Sequence, residues 1–149
     1  MPMPRSVTRV TRDGITYVSN VDRAQYTLRE LMRAALRDIA KLLRKRMLQK
    51  ARTMPGMKRG KRIPNAFQYW NRRREADLQI GVKHSTWYGT EQELGTSNQP
   101  KRSIIRSTVY DNIADIRIIA GKYIKEIENE NRAMGLINEE EDVGDDAGN

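Results

Sequence analysis

The sequence predicts an α+β fold, a small antiparallel β-sheet with a hairpin packed against a long N-terminal helix and a C-terminal helix. Two observations predict it. Apolar residues recur at three- and four-residue steps in two separate stretches. Between them an aromatic run and a strictly alternating run are joined by a connection of hairpin length. The 149 residues suit one domain. Its expected limits are 14–134, between a flexible basic arm (1–13) and an acidic, disordered tail (135–149).

Residues 1–12 mix Pro2, Pro4, Arg5, Arg9 and Arg12 with Ser and Thr without periodicity, which reads as the arm leading into Gly14. Residues 15–18 form a short β-type run. Ser19, Asn20 and Asp22 then offer N-cap oxygens to the most regular stretch of the chain. Leu28, Leu31, Met32, Ala35, Leu36, Ile39, Leu42, Leu43 and Met47 mark its apolar stripe. A helix over 22–50 would be roughly 43 Å long at 1.5 Å per residue.

Met54, Pro55 and Gly56 stop that helix, and 56–64 is a basic loop. Residues 66–70 (AFQYW) and 76–82 (ADLQIGV) read as strands, the second placing Ala76, Leu78, Ile80 and Val82 on one face, with 71–75 (NRRRE) as a basic hairpin tip. A polar, irregular stretch follows over 85–102. A second helix then opens near 103–107, keeps its period through Val109, Ile113, Ile116, Ala120, Tyr123, Ile124 and Ile127, and fades by 134–135. The sheet is too small to cover both helical stripes, so burial against other copies is the economical resolution.

Composition narrows the chemistry. There is no Cys and one His, which excludes disulfide scaffolds, thiolate zinc sites and thiol nucleophiles. No apolar run has membrane length, and the N-terminus lacks an apolar signal segment, so neither a membrane span nor secretion is expected. His84 has no nucleophile context and reads as a hydrogen-bonded histidine closing a strand. His84, Glu91 and Glu93 match no metal-ligand spacing, and 56–62 (GMKRGKR) departs from a phosphate-binding loop in length and in its missing Ser/Thr. Neither a catalytic residue nor a cofactor or metal site is expected.

The net charge of +9 is segregated. Residues 1–110 hold 24 basic and 8 acidic side chains, and 111–149 hold 4 and 11. A bipolar chain attracts copies of itself as readily as it attracts phosphate. Lys41, Arg44, Lys45, Arg46, Lys50 and Arg52 gather toward the end of the first helix, where its dipole also favours cations. Lys58, Arg59, Lys61, Arg62, Arg72, Arg73 and Arg74 are candidate interface or DNA-facing residues in the loops.

One constellation stands out over 87–106. Tyr88 precedes Glu93-Leu94-Gly95-Thr96, a polar loop carries Gln99 and Pro100, and Ser103-Ile104-Ile105-Arg106 leads into the second helix. Gly95 permits positive φ, Thr96 can bond nearby backbone, and Glu93 can accept from exposed amides or pair with Arg106, which makes the motif structural. Here the sequence resembles the tail-completion, or head–tail joining (connector, neck), family of long-tailed bacteriophages. Ser103 and Ser107 stand where that family usually has proline, and serine can cap a helix start in its place. The layout from about residue 14 to 131 is similar as well.

The resemblance implies a virion structural protein rather than an enzyme, made in the host cytoplasm and placed at the head–tail junction. It implies a homo-oligomeric ring, sixfold favoured and twelvefold possible. The ring's neighbours would be a connector or stopper ring and tail-tube or tail-terminator proteins, with DNA passing through and touched only transiently. The alternative is a small basic accessory protein that binds DNA without sequence preference.

Overall fold

The structure, a computed structural model, describes residues 3–54, 66–72, 74–84, 86–127 and 129. The fold is α+β, as the sequence predicts. The chain divides into two compact units, Met1–Ala34 with Lys122–Asn149, and Ala35–Gly121. The expected basic loop 56–64 and the tail 135–149 lie outside the described residues.

The first unit begins with a hairpin. Strands β1 (Val7–Val10) and β2 (Thr16–Ser19) pair antiparallel, Val7 opposite Ser19 and Val10 opposite Thr16. Thr11 closes the turn: its N–H donates to the Ile15 carbonyl at 2.9 Å, and its hydroxyl accepts from the Ile15 N–H at 3.2 Å. Gly14 takes φ +75° in that turn. The expected arm therefore holds a strand, built from β-branched residues whose pattern the intervening arginine obscures. Seven of its eight strand residues are exposed, and Ser19 is half-buried.

Helix α1 (Val21–Thr53) follows, with the Asn20 carbonyl accepting the Ala24 N–H at 2.9 Å as its first helical bond. In this unit α1 buries Thr27, Leu31 and Ala34 and leaves Leu28 and Met32 exposed. The buried stripe is thus turned by about one residue from the expected one. Among the described residues of this unit, Tyr123, in the helix named α4 below, is the other buried large side chain.

In the second unit α1 buries Ala35, Ile39, Ala40, Leu43, Met47 and Ala51, which keep helical spacing. Strands β3 (Phe67–Arg72) and β4 (Asp77–Val82) form the predicted hairpin. Phe67, Tyr69 and Asn71 stand opposite Val82, Ile80 and Leu78, so these six share one face. Ala76 does not continue that face; it lies in the turn with φ +50°. The two hairpins form separate sheets, not one. Met47, Ala51, Ala66, Phe67 and Ile104 make the core, flanked by Leu48, Ile80, Val82, Tyr88 and Ile105.

Two expectations need correction here. Part of the stretch expected to be irregular is helix α2 (Trp87–Leu94), and the second helix is two, α3 (Ile104–Asp111) and α4 (Ile113–Lys125). Asn112 makes the break. Its side-chain amide donates to the Thr108 carbonyl at 2.7 Å, and its own carbonyl accepts the Ile116 N–H at 3.0 Å to start α4. Lys50 meets Asp111 at 2.8 Å and Arg46 meets Asp115 at 3.9 Å, so residues four apart on α1 pair with residues four apart across the break.

Packing makes opposite predictions for two helical glycines. A Cβ at Gly89 would lie 2.5 Å from Val82 Cγ1, whereas one at Gly121 meets nothing within 4 Å. Gly89→Ala should lower stability by about 1–3 kcal/mol through overpacking. Gly121→Ala should raise it by up to about 1 kcal/mol through helix propensity. Urea denaturation of the two variants checks both signs.

Candidate functional site

The motif residues come together at the junction of α2 and α3. Glu93, in the last turn of α2, reaches across to the start of α3. Its carboxylate accepts the Ile105 N–H at 2.9 Å and the Arg106 N–H at 3.3 Å. Those two amides are among the first-turn donors that a helix cannot satisfy internally, and a negative charge there also meets the positive end of the helix dipole. The cap thus comes from a neighbouring helix. Ser103 occupies the N-cap position in a left-handed conformation (φ 46°, ψ 48°) and makes no side-chain cap bond, contrary to the expectation.

The segment between the helices is held to α2 by main-chain bonds. The Arg102 and Ser103 N–H groups donate to the Gln92 and Glu93 carbonyls at 3.0 and 3.3 Å, and the Gly95 N–H donates to the Glu91 carbonyl at 2.8 Å. Thr96 and Gln99 exchange main-chain bonds at 2.9 and 3.3 Å around Ser97 and Asn98, both good turn residues. Gly95 has φ +79°, and a Cβ there would lie 2.8 Å from the Lys101 nitrogen. Both the conformation and the space require glycine.

Tyr88 is half-buried against the core and meets Trp87 edge to face, the ring centres 5.9 Å apart. Arg106 touches Glu93 only through its main-chain N–H; its guanidinium lies 5.8 Å from the Tyr110 ring centre. Of the two roles open to Glu93, acceptance from exposed amides and pairing with Arg106, the structure shows the first.

The loop candidates separate. Lys58, Arg59, Lys61, Arg62 and Arg73 lie outside the described residues. Arg74 is exposed in the β3–β4 turn. Arg72 pairs with Asp77 and Glu75, and so it fastens the hairpin. The Arg72 bond holds the Asp77 carboxyl below the ordinary aspartate range, and Asp77 in turn raises the Arg72 guanidinium. His84 is exposed just past β4. Among the described residues, no cluster of His, Asp and Glu could hold a metal ion, and no helix is long and apolar enough to cross a membrane.

A second feature is an open groove of about 410 Å³ in the same unit, lined by Lys41, Arg44, Lys45, Leu48, Gln49 and Arg52 of α1 and by Tyr69 of β3. Arg44 Nε donates to the Phe67 carbonyl at 3.3 Å, which ties the groove wall to the hairpin. The sequence shows these cations but not the groove. Their spacing on one helical face, with Leu48 between them, was the available signal.

The model of a phage protein family matches residues 10–95, over half of the chain, from the first hairpin to Gly95 at the end of α2. The chain belongs to the HK97-gp10-like family. That family is described as "Bacteriophage HK97-gp10, putative tail-component", which agrees with the resemblance drawn from the motif and makes the chain a phage tail-related structural component. No curated protein and no solved structure matches it.

Removing the Glu93 carboxylate in Glu93→Ala should cost about 1–2 kcal/mol, the usual scale of a lost helix cap. Glu93→Gln, which keeps an acceptor, should recover part of that in the same denaturation series. Asp77, being lowered in the folded state, contributes stability that is complete above its unfolded pKa. That contribution is lost as pH falls below about 4 and through the lowered folded value. In an NMR titration, Arg72→Gln should move the Asp77 midpoint upward to the ordinary range.

Proposed function

We propose that this chain is a tail-completion or head–tail joining subunit, which assembles with its own copies into a ring between the DNA-filled head and the tail. DNA passes through that ring without being read. Family membership supports the tail role. The observation that carries the ring is uncovered apolar surface. Helix α4 leaves Ile118 70% and Ile124 64% exposed, and the first hairpin leaves Val10 69% and Ile15 65% exposed, with Tyr17 and Val18 beside them. Surface of this kind marks protein contacts.

A contact between two different faces, repeated about an axis, closes into a ring, and a basic body meeting acidic C-terminal residues gives that contact a direction. Sixfold symmetry is favoured on the tail side, with twelvefold the alternative beside the portal. The adjoining rings would be a connector or stopper on one side and tail-tube or tail-terminator proteins on the other. The role is structural rather than catalytic, and its place is the virion. The second reading, non-specific DNA binding, draws on the cationic groove of α1.

Sedimentation of the purified protein should reveal ring-sized species, and antibody labelling of virions should mark the head–tail junction. A strictly monomeric protein absent from virions would overturn the proposal. Tight, steeply salt-dependent retention of duplex DNA by that monomer would favour the second reading.

A further inference from the structure

We infer that the groove of Lys41, Arg44, Lys45, Leu48, Gln49, Arg52 and Tyr69 is a docking site for the acidic segment 139–146 of a second copy. The inference rests on the ring reading and names one of its contacts. Residues 39–53 carry six cations and no acid. Two of the six, Arg46 and Lys50, pair with Asp115 and Asp111. Lys41, Arg44, Lys45 and Arg52 line the groove, which gives it a strongly positive wall.

Segment 139–146 (EEEDVGDD) has six acids, no base and a single apolar residue, Val143. Leu48 and Tyr69 add apolar lining beside the cations, so one valine flanked by carboxylates complements the groove in both charge and apolar content. The segment is also long enough to span the groove. From Lys41 to Arg52 the helix rises about 17 Å, and eight extended residues reach at most about 29 Å. The chain uses the same recognition internally, where acids four residues apart meet cations four residues apart on this helix.

The test uses the full-length protein, a chain ending at residue 138, and a Lys45→Glu/Arg52→Glu double variant. Circular dichroism and thermal unfolding confirm that each is folded. Sedimentation at low salt should show self-association weakened at least tenfold in both altered chains, with the difference shrinking at high salt because exposed charge pairs are screened. Mixing the two altered chains should restore association between unlike chains only, since one keeps the groove and the other the segment.

If both altered chains assemble as the full-length protein does, the inference is overturned and the ring reading stands. If the full-length protein itself stays monomeric, the ring reading fails. If the groove variant instead loses duplex-DNA binding while the truncated chain assembles normally, the groove is a nucleic-acid surface and the inference is overturned.

Discussion

One carboxylate organises the second unit. Glu93 sits at the end of one short helix and satisfies the first amides of the next, so the chain can reverse between them without leaving those donors unpaired. The rest of the junction depends on this span. Gly95 must allow the backbone to pass close to Lys101, and Ser103 adopts a conformation that non-glycine residues avoid, at a cost of roughly 1–2 kcal/mol. What the arrangement secures is the start of α3, with Ile104 fully buried against Phe67 and Met47. Asp111, two turns further on, then lies where it meets Lys50.

Helix α1 divides its work by face. Its buried side combines small alanines with the larger Leu31, Ile39, Leu43 and Met47, whose apolar surface is removed from water. Its cations contribute little to stability, because exposed pairs such as Lys50 with Asp111 gain less than about 1 kcal/mol. They determine orientation instead. A pairing at two points four residues apart fixes which stretch of α1 faces α3 and α4, and in which direction.

How much was legible in the sequence follows from how each element is stabilised. Helix α1 and the β3–β4 hairpin were plain because their apolar residues recur with helical and strand periods over long enough stretches. Helix α2 was not, because its closest packing is made by Gly89, and a glycine adds nothing to an apolar pattern. The break at Asn112 was hidden for another reason. A polar residue on a helix usually means a solvated face, and only the bond to the Thr108 carbonyl shows that it ends one helix and starts the next. The motif's spacing revealed Gly95 and the acceptor role of Glu93. It could not reveal that Arg106 contributes its main chain rather than its charge, since the residue code describes side chains alone.

The first hairpin has a different kind of consequence. Two short strands without a buried residue are marginal in water, so β1 and β2 open and close at little cost in an isolated subunit. Any surface that covers them must first supply the free energy of ordering them. Such contacts are weaker for their area than contacts between rigid faces, and they release more readily. Within the proposed ring, reversibility of that sort would let a misplaced subunit leave before its neighbours lock it in, a form of proofreading that a preformed, rigid edge would not provide.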